Sequence, residues 1–386
     1  MAVPGGRVAW HSAWEENAMI RRSIVAGVGI GALVALAAAT SSSAALADDA
    51  PKLVPVAQSD AMIWNAVAVD GNRIFVSGPR WAGGRGPQLS LLADGGEPRP
   101  YPDAAWNAWK PGDDPASAFV NINALHLDGR GGLWIVDTGS PSFGGSPLPG
   151  GAKLVRVALG SGRVDRIVPL GPDLALDGSY IDDVRFNGDR AYLTDAGRPG
   201  LIVLDLRSGK GRRVLDGHPA TVAPEGRPIV LDGETVKGPG GAPLKVHADP
   251  LEVSADGAWL FFGPLEGPWS RVPTRLLEDP AIQPDTLAAA IEPWADLPPV
   301  GGTVMGPDGT LFFAELASNS IKRRHPDGRI ETLISDPALH WVDAPFLTRD
   351  GCLFLPVPQM DRVGLFHSGR SQTVWPIRLY KLEVTK

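Results

Sequence analysis

Of the 386 residues only one is a cysteine, Cys352. No internal disulfide can form, so packing and sheet hydrogen bonds must hold the fold even in an oxidising compartment. Cys352 sits between Gly351 and Leu353-Phe354-Leu355 and reads as a small buried hydrophobe rather than a nucleophile. There is no cysteine pair for zinc or redox work, and the seven histidines do not cluster at metal-ligand spacing. The chain has neither a Gly-x-Ser-x-Gly nucleophile elbow nor a Gly-x-x-x-x-Gly-Lys-Ser/Thr phosphate loop. Lys/Arg-rich clusters are also missing, and the net charge is −7. That balance argues against nucleic acid or an anionic membrane surface as partner.

One long apolar run exists, Ile24 to Ala39, behind Arg21 and Arg22. It is followed by Ser41 to Ser43 and by Ala45-Leu46-Ala47 before Asp48. A basic start, a short apolar core and a small-x-small site make residues 1–47 a secretory signal peptide. The alternative, a membrane anchor, wants about 20 apolar residues without a cleavage site behind them. Met19 stands where such a signal naturally starts, which makes residues 1–18 a candidate mis-start. The mature chain, 48–386, is expected to be exported to the periplasm or beyond the cell, with no stable membrane anchor, as a monomer.

What is abundant is turn chemistry: 47 glycines and 37 prolines, with apolar runs throughout. An apolar strand, a tight Asx-Gly turn and a second apolar strand recur six times. The Asx residues are Asp70, Asp128, Asn187, Asp256, Asp308 and Asp350. Asx-Gly between β-formers is a hairpin signal because both turn residues must accept positive φ. Loose periods near 50 residues indicate propeller blades. Third strands are visible at Lys153–Val157, Leu201–Asp205, Trp269–Pro273 and Ser320–Arg323, and fourth strands at Arg163–Ile167 and Arg329–Leu333. The expected fold is all-β, a single six-bladed β-propeller over residues 48–386, with an array of β-sandwiches as rival. A helix is expected only at Pro284–Ile291.

Several segments resemble the major royal jelly/yellow protein family. Arg73-Ile74-Phe75-Val76-Ser77-Gly78-Pro79-Arg80-Trp81 is similar to its first-blade signature, and Leu133-Trp134-Ile135-Val136-Asp137-Thr138-Gly139 to its second. Ala191 to Gly197 with Gly200 to Leu206, Leu251 to Ser254 with Pro264-Leu265 and Val272 to Thr274, and Trp375 to Tyr380 follow in order. The resemblance implies a secreted six-bladed propeller. Within that family are nutritive glycoproteins, pigmentation proteins, binders of small amines in the central channel, and a dopachrome-converting activity. The cysteines of the insect members are absent, so insect functions do not carry over. More distantly, the architecture is similar to calcium-dependent gluconolactonases.

In a blade the first strand lines the channel and the second returns beside it. Strand starts and second-strand ends therefore share one face. The starts carry Asn65, Asn123, Asp182, Asp183, Asp249 and Asp343, and the ends carry Asp137, Asp195 and Glu315. Two readings of this oxygen-rich ring stay open. In one it is a ligand or metal site: calcium, the expected cofactor, held by Asn123, Asp182 and Asp249, or a small molecule held by Asn65, Asn123, Asp137, Asp195, Glu315, Trp341 and Asp343. A lactonase would further use Asp182, Asp183 or Asp249 to activate water beside the metal. In the other, these Asx side chains simply bond backbone at turns. A scaffold without a ligand is the third possibility. His247 and His340 could reach the mouth but read first as structural, His126 is expected between blades, and Trp81, Trp106, Trp109 and Trp341 could stack on an aromatic or cationic ligand but read first as core filling.

Overall fold

The computed structural model describes residues 51–93 and 97–384. The signal segment and its cleavage site, assigned above to residues 1–47, lie outside the described residues. From Ala66 onward, five antiparallel sheets of four strands follow one another, each built in chain order. The first comprises Ala66–Asp70, Arg73–Ser77, Leu89–Ala93 and Arg99–Pro100. A sixth sheet takes three strands from the C-terminal end of the chain: Phe346–Leu347, Cys352–Val357 and Ile377–Glu383. Its fourth strand is Val54–Ser59, paired to Ile377–Glu383, so the two ends of the domain close one blade together. The molecule is a six-bladed β-propeller.

All six Asx-Gly turns connect the first two strands of a blade, as their chemistry dictates. Gly71, Gly129, Gly188, Gly257, Gly309 and Gly351 lie at φ between 62° and 81°, where a Cβ is strained. Blades pack face to face through alternating apolar residues. Leu201, Leu260, Phe262 and Val272, all fully buried, join the third and fourth blades, each contributing about 1.5–3 kcal/mol of burial. The helix at Pro284–Ala289 forms, with proline in its first turn, and a second short one at Thr274–Glu278 adjoins it. Among the described residues, no helix is long and apolar enough to cross a membrane.

The uneven spacing of the repeats has a structural purpose. Residues 218–247, between the third and fourth blades, carry a small hairpin of Val230–Leu231 and Glu234–Thr235. Its Ile229, Leu231 and Val236 pack, fully or almost fully buried, in one cluster with Trp341 and Met360. This insertion and the loops that follow other second strands fold over one mouth of the channel.

Candidate ligand site at the capped mouth

The register of the innermost strands explains how the polar ring forms. In the second to fifth blades the pairing of first and second strands slips by one residue at the same place. The slips fall between Ile122 and Ala124, Ile181 and Val184, Ala248 and Leu251, and Val300 and Thr303. Each is a β-bulge, which leaves one residue unpaired and re-aims its side chain. Asn123, Asp182, Asp249 and Gly301 sit in these bulges, and all four line one cavity of about 60 Å³. The fifth blade supplies glycine because a Cβ at Gly301 would lie 2.2 Å from the carbonyl oxygen of Val342. Asn65 from the first blade and Asp343 from the sixth complete the ring. Trp341, also on the wall, has φ of 54°, a strained backbone for a non-glycine residue held by its buried surroundings.

Above the ring the cavity is roofed by apolar and aromatic groups. Trp81, Phe143 and Phe366 pack edge to face or tilted, with centroids 5.0–6.1 Å apart. Leu244 and Val246 come from the insertion, Met360 from the sixth blade's loop. A relay of hydrogen bonds descends from the roof. Trp81 Nε1 donates to the Tyr180 hydroxyl at 2.8 Å, which donates to Asn123 Oδ1 at 2.8 Å. Asn123 Nδ2 in turn donates to Asp182 Oδ1 at 2.7 Å. Asn65 Nδ2 bonds the Asn123 carbonyl at 2.9 Å, but its Oδ1 is buried without a partner. An orphaned acceptor in a residue only 3 % exposed is a standing cost, removed when a donor arrives.

Among the described residues, no basic side chain lines the cavity with the three carboxylates. Asp182 and Asp249 are both pushed well above the usual carboxylate range, first by burial, then by neighbouring acids: Asp183, Asp343 and Asp195 act on Asp182, and Asp182, Asp343, Asp183 and Glu266 on Asp249. Asp343 is raised to about 7, mainly by burial, although the Ala344 amide bonds its Oδ1. Asp183, next to Asp182, turns the other way down the channel. There Arg185 takes it at 2.6 Å and Glu252 at 2.9 Å, and the guanidinium also reaches the Val184 and Thr303 carbonyls. With its donors spent there, Arg185 forms a plug and has no donor to spare for Asp182, Asp249 or Asp343.

Three of the expected ligand residues are not in the cavity wall. Asp137, Asp195 and Glu315 stand at second-strand ends, one strand further from the axis, and turn into the loops. Asp137 accepts from the amides of Val120, Asn121 and Gly139 and from Lys153 Nζ at 2.7 Å, all fully buried. Asp195 accepts from the Tyr180, Gly197 and Arg198 amides, from Ser179 Oγ and from Arg213. Glu315 is paired with Lys322 at 2.5 Å and bonded by Ser318 and Ser320. They are latches that tie each second strand to its loop and to a base on an outer strand. Replacing Asp137 by asparagine strands the Lys153 ammonium in the core. The expected cost is about 3–5 kcal/mol of unfolding free energy, read by urea denaturation; a cost under 1 kcal/mol would refute the latch.

Several other polar and aromatic residues serve the fold, in keeping with their structural reading. His247 Nδ1 accepts the Ala223 amide at 3.0 Å, and His340 is paired with Asp361 at 2.8 Å; neither lines the cavity. Trp106 packs on Phe119, and Trp109 is buried in a small cluster beside Ala118 and Val120. His126 packs between blades as expected, its ring 5.5 Å from that of Phe186 on the next blade, and it also lines the opposite mouth. Cys352 is half-buried in the same mouth rather than in the core. Tyr180, Phe143 and Phe366 were missed in the sequence reading, since they lie in loops without periodicity; only Tyr180 had a signal, its place just before Ile181-Asp182.

Calcium fits this arrangement poorly. Among the described residues, no group of three or more His, Cys, Asp or Glu side chains converges as a metal site. Asn123, an expected ligand, already gives its carbonyl to Tyr180 and its amide to Asp182, another expected ligand. These residues therefore offer no calcium-assisted route to lactone hydrolysis.

A propeller with one mouth plugged below and roofed above defines a class of protein with a closed central pocket. The family described as Major royal jelly protein matches residues 121–334, and the chain belongs to that family. No curated protein gives a significant match. Among solved structures, a luciferin-regenerating enzyme aligns with TM-score 0.51 and 9 % identity, over 86 % of this chain and 95 % of that one. A virginiamycin B lyase from Staphylococcus aureus aligns with TM-score 0.49 and 12 % identity, over 87 % of this chain and 100 % of that one. A gluconolactonase from Xanthomonas campestris gives 0.48 and 13 %, over 86 % and 89 %. The first supports the fold alone, and the other two, at TM-scores below 0.5, add nothing to it.

Proposed function

We propose that this protein is an exported binding propeller that holds a small organic ammonium ion in the capped mouth of its channel. The observation that carries the reading is the charge imbalance: Asp182, Asp249 and Asp343 share one cavity with no basic side chain in its wall. Buried like charges without a partner are costly, and a bound cation relieves them. The orphaned Asn65 Oδ1 supplies a further acceptor for an N–H donor. Trp81, Phe143 and Phe366 offer ring faces and edges suited to a cation's apolar body. At about 10–15 Å³ for each water-sized occupant, a cavity of 60 Å³ takes on the order of five non-hydrogen atoms. That suits an ammonium head and its first carbons. The apolar run and small-x-small site of residues 1–47 support export.

Tryptophan fluorescence tests the reading, since Trp81 and Trp341 both line the cavity. Titration with butylamine is expected to give saturable change, and butanol none. Equal response to butanol would refute it.

A pH dependence follows from the same groups. Asp343 and Glu266, the latter fully buried beside the insertion, are each raised to about 7. A carboxyl whose folded pKa is raised holds its proton more tightly folded than unfolded. Its stabilisation is present below about pH 4 and is lost as pH climbs through 7. The free protein is expected to melt several degrees lower at pH 8 than at pH 5.5. Ammonium affinity should move oppositely, rising up to about tenfold per pH unit per proton displaced between pH 6 and 8. Calorimetric melting with and without butylamine checks both signs.

A further inference from the structure

The opposite mouth of the channel is an open funnel of about 740 Å³, within the range of sites for drug-sized ligands. Its upper walls are apolar: Val67, Val69, Leu125, Phe346 and Phe354 face it. His126 lies among them with no side-chain hydrogen bond among the described residues, and burial holds its pKa down at about 3, so it is a neutral donor and acceptor. The rim carries two cations, Arg349 and Lys381, against one carboxylate, Asp350, which Thr348 and, to a lesser degree, the Lys381 charge hold below its usual pKa. The other acids of the wall are neutralised within the fold, Asp70 by Arg73 and Asp183 by Arg185. The Arg185–Asp183–Glu252 plug separates this space from the capped mouth. The two ends therefore differ in sign: three carboxylates with no basic side chain in the cavity wall at one, two cations against one carboxylate at the rim of the other.

We infer that the funnel binds an amphipathic anion, a carboxylate or sulfonate with an apolar body, independently of the ammonium site. The orientation follows from the charges. At the floor a single guanidinium, Arg185, answers two carboxylates, Asp183 in the wall and Glu252 behind it, so the floor is net negative and an anionic head is repelled there and attracted at the rim. The body then descends between Val67, Leu125 and Phe354 towards His126, burying apolar surface that the fold leaves wet.

The test uses the whole exported chain and 1-anilinonaphthalene-8-sulfonate as probe. Saturable binding at one site per chain is expected, displaced by octanoate but not by octylammonium. The double variant Arg349→Glu/Lys381→Glu changes only rim side chains and should fold, as near-ultraviolet circular dichroism would confirm. It is expected to bind the probe at least tenfold more weakly. Absence of saturable binding, displacement by octylammonium as effective as by octanoate, or an affinity within twofold after charge reversal would each overturn the inference.

Discussion

Replacing Asp182 and Asp249 together by asparagine is expected to weaken ammonium binding by a hundredfold or more while making the free protein more stable. The two effects share one cause. Both carboxyls are pushed well above the usual range by burial and by neighbouring acids, which is the signature of charge that the fold does not compensate. Truncating one side of a buried hydrogen-bonded charge pair costs about 2–5 kcal/mol of binding, so losing both easily exceeds two decades. The amides keep the shape and still accept from Asn123, so the relay from Trp81 through Tyr180 survives. A residue kept purely for structure would behave in the opposite way, losing stability with no gain. Melting temperature and fluorescence titration of the same sample separate the two outcomes.

The second large effect lies at the plug. Arg185 is 9 % exposed and spends its guanidinium on Asp183, Glu252 and the Val184 and Thr303 carbonyls. Glu252 is fixed further by Thr303 Oγ1 at 2.9 Å. Arg185→Met leaves two carboxylates unanswered at the centre of the channel and is expected to cost about 3–5 kcal/mol. Adding Asp183→Asn and Glu252→Gln removes those charges and should recover most of the loss, because a polar network without charge is cheaper than a broken ion pair. Urea denaturation of the single and triple variants reads both numbers. If the triple variant is no more stable than the single one, Arg185 acts through packing instead.

The fold was legible because it repeats. Asx-Gly turns announce themselves locally through their φ requirement, and six of them between apolar strands leave few architectures. The closing strand Val54–Ser59 was not legible: its partner lies more than 300 residues away at Ile377–Glu383, and its own sequence carries no turn signal. The site was half legible. Strand starts do hold the ring, since Asn65, Asn123, Asp182, Asp249 and Asp343 converge. Which of two neighbouring residues faces the cavity depends on the bulge, and bulges leave no mark in composition. Hence Asp182 and Asp183, adjacent in sequence, face different ends of the channel. Second-strand ends were read as equivalent to strand starts because they share a face. Being one strand further out turns Asp137, Asp195 and Glu315 from ligands into latches. Of the roof only Trp81 was legible, because Phe143, Leu244 and Phe366 come from three aperiodic loops that only the folded chain brings together.

Isothermal titration calorimetry of butylamine, against butanol and calcium chloride, in two buffers of different ionisation enthalpy tests the central claim most directly. The account predicts one butylamine per chain, no heat from butanol, and release of protons to the buffer on binding at pH 7, because Asp343 must ionise to receive the cation. Calcium should bind weakly or not at all. Tight stoichiometric calcium binding with no response to butylamine, or ammonium binding without proton release, would contradict it.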